Sequence, residues 1–278
     1  MNIVEAAFLG AVEGLTEFLP VSSTGHLTLM ERLLGHSTDD PDITAFTAII
    51  QVGAVLATIL YLRKDIARLL RAFFRGVARR EERRDPDYRF AWAVIIGSIP
   101  IGIVGLVFKD HIETTLRSLY VVAIALILWS GVLWFADRRA TQTRGERDVT
   151  WKDTLIIGLV QCLALIPGVS RSGATGSAGL LRGLDRVTVT RLSFMLSIPA
   201  LTGAGLLQVV DEYDAISNGV GWPATITATV VSFLVGYAAV AWLLRFIARH
   251  TYSVFIWYRV VVGVVILVLL WTDVIPAT

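Results

Sequence analysis

Glu13 and Glu17 stand four residues apart in an apolar stretch, so a helix projects both carboxylates from one face. Like charges at that spacing repel and burial raises the cost, so a divalent cation, an arginine, a proton or water must offset it. The plain alternative is a wet helix face dipping into a membrane interface. Directly after them comes Pro20-Val21-Ser22-Ser23-Thr24-Gly25-His26, with three hydroxyls, a turn-capable glycine and an imidazole. Serine and threonine at a helix start cap its free N–H groups, and the remaining N–H groups form an anion site. Capping alone accounts for Ser22, Ser23 and Thr24, but it leaves His26, a proton-exchanging group near neutral pH, without a role.

A second constellation is Pro167-Gly168-Val169-Ser170-Arg171-Ser172-Gly173-Ala174-Thr175. Arg171 lies in a break between apolar runs, where an unpaired guanidinium is costly. Its planar fork suits a phosphate or carboxylate bidentately, and Ser170, Ser172, Thr175 and the following helix N-terminus add neutral donors. An oxyanion cradle is one reading; a structural ion pair between Arg171 and Glu13 or Glu17 is the other. Together the two constellations hold what phosphoryl transfer needs. Two carboxylates suit a hard cation, Arg171 suits the developing charge, and hydroxyls and an imidazole supply nucleophile and proton carrier.

The two constellations are copies of one pattern. GAVEGLTEFLPVSSTG (Gly10–Gly25) and GLVQCLALIPGVSRSG (Gly158–Gly173) align without a gap and match at six positions, Gly10/Gly158, Val12/Val160, Leu15/Leu163, Val21/Val169, Ser22/Ser170 and Gly25/Gly173. Average composition gives about one match in such a window. Each copy runs an apolar helix into a polar break, which in an apolar protein is expensive unless it lines a site.

The elements that must position these breaks are membrane helices. Hydrophobic residues make up 55% of the chain, and charges cluster between long apolar runs. Six runs are long enough to span a bilayer: Ile43–Leu62, Phe90–Phe108, Leu119–Phe135, Leu192–Val210, Pro223–Leu244 and Val254–Trp271. Ile3–Leu19 and Thr154–Ile166 are shorter, and each is followed past its break by a second short helix, His26–Leu34 and Ala174–Leu181. The expected fold is an all-α polytopic membrane protein with an inverted-topology repeat, each half a re-entrant hairpin plus three spans. The first repeat takes residues 1–136 with its hairpin at 3–34. A linker takes 137–152, and the second repeat takes 153–278 with its hairpin at 154–181.

Charge placement gives the orientation. The Arg63–Arg89 loop holds ten Lys/Arg residues and should be cytoplasmic, which puts Asp137–Lys152, Arg182–Arg191 and Arg245–His250 inside as well. The acidic loops Glu31–Asp42 and Asp211–Gly221 then face out, with both termini. Apolar residues from Ile66 to Val77 recur at helical spacing in the Arg-rich loop, so it reads either as a solvated anchor or as an amphipathic helix on anionic lipid. Nucleic-acid binding is excluded for so short a loop beside two spans. A cleavable signal peptide is excluded by Glu5, Glu13 and Glu17 and by the missing basic region; the single cysteine, Cys162, excludes an internal disulfide.

EGLTEFLPVSSTGH (Glu13–His26) and PGVSRSGAT (Pro167–Thr175) resemble the two signature motifs of the bacterial undecaprenyl-diphosphate phosphatases of the bacitracin-resistance type. The resemblance extends over essentially the whole chain in length, motif separation and hydropathy. It implies hydrolysis of undecaprenyl diphosphate to undecaprenyl phosphate and inorganic phosphate, recycling the lipid carrier for cell-wall polymers. It further implies a multi-pass protein of the bacterial cytoplasmic membrane, a site open to the outer face, and a requirement for Mg²⁺ or Ca²⁺. By the same resemblance Glu13 and Glu17 are the acidic motif, for metal or catalysis, and Ser23 and His26 the nucleophile and acid/base. Ser170, Arg171 and Thr175 bind substrate, with Arg171 on the diphosphate and Ser22, Thr24 and Ser172 as neighbouring donors. Either Ser23 forms a phosphoryl-enzyme with His26 as base, or water attacks directly; Ser22, repeated as Ser170, is the weaker nucleophile. Thr47, in FTAIIQ, departs from the pattern, which has an acidic residue there in many relatives.

Expected partners are the polyprenyl diphosphate and surrounding membrane lipids, with a homodimer allowed. The rival from another class is a lipid-phosphate flippase or secondary transporter, since broken helices in inverted repeats also build transporters. Such a protein needs an anion site and a coupling ion but leaves Ser23 and His26 without a task.

Overall fold

A computed structural model describes residues 1–37, 40–108, 118–211 and 213–276, without the side chains of 206–211 and 213–215. Thr38 and Asp39 of the loop Glu31–Asp42 lie outside the described residues, as does Glu212 of the loop Asp211–Gly221. The same holds for the side chains that close the run Leu192–Val210.

Helices make up most of the described residues, with no strand among them. In order come α1 (Ile3–Thr16), α2 (Ser23–Leu33), α3 (Pro41–Tyr61), α4 (Arg63–Ala78), α5 (Pro86–Val107) and α6 (Leu119–Arg139). They are followed by α7 (Trp151–Gln161), α8 (Arg171–Leu181), α9 (Arg186–Asp211), α10 (Tyr213–Asn218), α11 (Trp222–Ile247) and α12 (Ser253–Trp271). Local chemistry sets many of these starts. Asn2 and Glu5 form a capping box on α1, Thr150 and Asp153 one on α7, and Asp40–Pro41 and Asp85–Pro86 open α3 and α5 with an acidic cap and proline in the first turn.

Six helices are long and apolar enough to cross a membrane, namely α3, α5, α6, α9, α11 and α12, and they correspond to the six predicted runs. The structure corrects two loops and bears out the helical spacing read in a third: Arg63–Arg89 is largely the helix α4, followed by a 3-10 turn at Arg80–Arg84. The stretch Arg182–Arg191 shrinks, because α9 begins at Arg186. Asp211–Gly221 contains α10. The early start of α9 has an electrostatic reason: Arg186 pairs with Asp137 at 2.7 Å, and Arg191 with Asp65 at 2.9 Å. These charges therefore ride on a helix instead of ending it.

The two short pairs pack reciprocally. α1 lies along α11, and α7 lies along α5. Both contacts are backbone to backbone through aligned glycines. A Cβ on Gly10 would sit 2.2 Å from the Ala228 carbonyl oxygen, and one on Gly158 would sit 2.1 Å from that of Gly97. α3 packs against α9 and α11, α12 against α6, and α6 against α8. Outward faces of the spans are apolar, with Leu128, Leu234, Val261 and Val268 exposed as lipid-facing residues require.

The basic end of the bundle is tied by ion pairs across distant segments. Glu146 takes Arg68 at 2.6 Å and Arg191 at 3.5 Å, and the fully buried Asp153 takes Arg144 at 2.5 Å and Arg182 at 2.9 Å. Burial alone would raise the Asp153 carboxyl. Donors from Arg144, Thr150 and Arg182 together hold it well below the usual carboxylate range.

Candidate active site

Between α1 and α2, and again between α7 and α8, the chain leaves the helix for a few residues, and the two breaks bind each other. Ser22 and Ser170 have φ of 73° and 72°, the left-handed region that costs a side-chain-bearing residue about 1 kcal/mol or more. Each is the N-cap of the next helix: the Ser22 Oγ accepts from the Gly25 N–H at 3.4 Å, and the Ser170 Oγ from the Gly173 N–H at 3.3 Å. Ser22 Oγ also accepts from the Gly168 N–H at 3.2 Å, while Ser172 Oγ donates to the Leu19 carbonyl at 2.8 Å. That donation uses the single Ser172 proton, so Ser170 is the donor in its 3.1 Å bond to Ser172.

Four candidate residues converge beside this junction. Glu17 Oε1 accepts from Arg171 Nη2 at 2.6 Å, and Glu17 Oε2 accepts from Ser23 Oγ at 2.5 Å. All three side chains are buried or nearly so. Arg171 Nη1 and Glu13 Oε1 are buried without a hydrogen-bond partner. The guanidinium thus keeps half its fork free for an acceptor, and the Glu13 oxygen is free for a donor or a cation.

The remaining candidates take other positions. Thr24 is exposed on the first turn of α2. Thr175 is buried, with its hydroxyl committed to the Arg171 carbonyl at 2.9 Å and Ser193 at 2.7 Å. His26 shares no bond with Ser23, Glu17 or Arg171. Its Nδ1 meets the Ser22 carbonyl at 2.7 Å and its Nε2 meets the Tyr258 hydroxyl at 2.7 Å. Thr47, at the position that departs from the family pattern, donates to Glu31 Oε1 at 2.7 Å.

Sequence reasoning missed the contribution of α12. Arg259 is fully buried and holds the junction from behind: Nη1 donates to the Pro20 carbonyl at 3.0 Å and Nη2 to the Gly168 carbonyl at 2.9 Å. Its Nε reaches Ser130 Oγ at 3.1 Å and Nη2 also reaches the Leu126 carbonyl at 3.4 Å, so all four acceptors are neutral. One arginine thus clamps both breaks. The signal was present in sequence, since an arginine inside an apolar span marks a functional or structural site. Gln161, the residue aligned with Glu13, is fully buried with both amide atoms unpartnered.

These features define a polytopic helical membrane protein whose buried polar centre is assembled from two broken-helix segments and closed by the last span. The chain matches the family described as bacitracin resistance protein BacA over residues 6–265, and it belongs to that family. It is 70% identical over 278 residues to "Undecaprenyl-diphosphatase 3" of Frankia casuarinae, covering all of both chains. It is 55% identical over 284 residues to "Undecaprenyl-diphosphatase" of Cutibacterium acnes, again over both whole chains. To "Undecaprenyl-diphosphatase 1" of Streptomyces coelicolor it is 53% identical, over 99% of this chain and 98% of that one.

Proposed function

We propose that this protein hydrolyses undecaprenyl diphosphate to undecaprenyl phosphate and inorganic phosphate, with Ser23 as nucleophile. Full-length identity to three relatives that carry the diphosphatase name supports the substrate. The observation that carries the mechanism is the carboxylate of Glu17 bonded to both Ser23 and Arg171. Glu17 is the base within reach of Ser23 Oγ, a task the sequence-based expectation gave to His26. As Oγ bonds to the terminal phosphorus, its proton passes to Glu17 and the bridging oxygen departs with undecaprenyl phosphate. Water then attacks the phosphoserine, its protons leave on the released phosphate, and Glu17 returns the stored proton to Oγ as the O–P bond breaks. Arg171, through its unpartnered Nη1, binds the non-bridging oxygens on which charge develops.

The residues also fit a divalent cation. Among the described residues no group of three or more acidic, histidine or cysteine side chains could hold one. Yet hard cations in phosphoryl transfer are commonly held by one or two carboxylates plus substrate phosphates. Glu13, with its unpartnered buried oxygen, and Glu17 would hold Mg²⁺ or Ca²⁺. Such an ion would neutralise charge on the diphosphate.

The same reading takes each half as an inverted repeat, with re-entrant hairpins α1–α2 and α7–α8. The reciprocal packing of α1 on α11 and α7 on α5, and the matched strained caps Ser22 and Ser170, support it. The arginine-rich end is then cytoplasmic, and the termini and the opening of the site lie on the outer face.

The test is phosphate release from undecaprenyl diphosphate by purified protein in detergent, with and without EDTA, beside Ser23→Ala and Arg171→Ala. Metal-dependent release in the wild type alone, with a phosphoserine trapped on acid quench, is the expected result. Release without any trapped phosphoserine and with Ser23→Ala active would favour direct attack by water. No release under any divalent ion would move the flippase reading to the front.

A further inference from the structure

His26 is buried, three residues beyond Ser23 and so on the same side of α2. A carbonyl oxygen can only accept, so the 2.7 Å contact with Ser22 fixes the proton on Nδ1. In the neutral ring Nε2 is then an acceptor, and the Tyr258 hydroxyl is its donor at 2.7 Å. The two rings lie nearly parallel, 6° apart, with centroids separated by 5.5 Å. No other polar group among the described residues bonds Nε2.

Tyr258 is otherwise unlike its partner. It is 44% exposed, against 5% for His26. Its backbone is held in place by its neighbour Arg259, which is anchored through four hydrogen bonds. The α12 dipeptide Tyr258-Arg259 therefore does two jobs, one residue clamping the breaks and the other bonding the imidazole.

We propose that Tyr258 is a positioning residue of the active site: its hydroxyl, donating to Nε2, fixes the tautomer and orientation of His26. The inference rests on the phosphatase reading above for its kinetic consequence, though not for its geometry. Held between the Ser22 carbonyl and the Tyr258 hydroxyl, His26 keeps one tautomer, with its proton on Nδ1, and one ring plane beside the break that carries Ser23.

Tyr258→Phe removes the hydroxyl and keeps the ring, so it isolates the hydrogen bond to Nε2. Expected is a fall in kcat of about ten- to hundredfold with KM little changed, within the roughly 10²–10⁴ that general acid–base catalysis supplies. In a His26→Ala background the same substitution should cost nothing further. A structural role would instead lower kcat equally in both backgrounds, and unchanged kcat in the single variant would equally overturn the proposal. A second readout needs no turnover: in ¹⁵N-histidine-labelled protein, with His26 assigned from a His26→Gln spectrum, Tyr258→Phe should move Nε2 to the position of an unbonded imine nitrogen. An unmoved Nε2 resonance refutes the contact itself. A shift on Tyr258→Phe together with no phosphate release by the wild type would refute the phosphatase reading while leaving the Tyr258–His26 pair intact.

Discussion

Arg259→Met separates the two things a buried cation does, support the fold and place the site. Methionine fills similar volume and donates nothing. Ser130 Oγ and the Leu126 carbonyl keep each other, at 2.7 Å, when the guanidinium goes. The Pro20 and Gly168 carbonyls lose the Arg259 donors at 3.0 and 2.9 Å and gain none. Two orphaned buried carbonyls cost about 2–6 kcal/mol together. Removing a buried charge in favour of an apolar side chain returns about 1–4 kcal/mol. The difference is a few kcal/mol at most, which leaves the protein folded in mild detergent. The site fares worse. Ser23 and Glu17 belong to one break and Arg171 to the other, and Arg259 ties the two from behind, beside the Gly168–Ser22 and Ser172–Leu19 hydrogen bonds. A misplacement of about 1 Å costs on the order of 10² in rate. Phosphate release should therefore fall at least about a hundredfold, while size-exclusion elution stays at the wild-type position and the melting temperature falls modestly. Arg259→Lys restores the charge but can reach fewer of the acceptors, and should recover part of the rate. A folded Arg259→Met protein with wild-type kcat/KM would refute the clamp.

Three further outcomes follow from other contacts. Gly10→Val and Gly158→Val each drive a side chain into a backbone carbonyl, 2.2 and 2.1 Å from the ideal Cβ. Each should cost about 3 kcal/mol or more and abolish folded yield on size exclusion, whereas Gly102→Ala, with nothing within 4 Å, should be neutral. Glu17→Gln leaves Arg171 buried without its counter-ion, a loss of about 3–5 kcal/mol. Thermal unfolding should show Glu17→Gln/Arg171→Gln less destabilised than the sum of the single changes; strict additivity would argue against the pair. Asp153 is held below the ordinary aspartate value of 3.8, so its stabilisation is complete above that pH and drains away as pH falls below it. Asp153→Asn should be less stable than wild type near neutrality, and unfolding midpoints should converge as pH drops from about 4 toward 2. A gap that ignores pH would contradict the ion pairing.

What could be read in the sequence divides along a physical line. Spans were legible because about 20 apolar residues in a row have few other uses, and the breaks because polar residues there are too costly to be idle. Helix ends resisted the same reading. Charge on Arg186 and Arg191 looks like loop until Asp137, Asp65 and Glu146 are seen beside it, and those partners come from three other segments. Hydroxyls misled in a different way. Thr175 looks like an anion donor in its motif, but its hydroxyl is spent on the Arg171 carbonyl and on Ser193, and nothing in the motif says that Ser193 will be there. The same limit governs α12. A hydropathy window over Val254–Trp271 averages Arg259 away, although a single intramembrane arginine outweighs several leucines in energetic terms. Tyr258 carries no such flag, because tyrosine is common near span ends and becomes informative only once His26, 232 residues earlier, is found against its hydroxyl. A membrane site built from repeated breaks therefore shows its repeated parts in sequence. The unrepeated clamp that sets their spacing is visible only in three dimensions, and for that reason the α12 variants test this site more sharply than further changes within either motif.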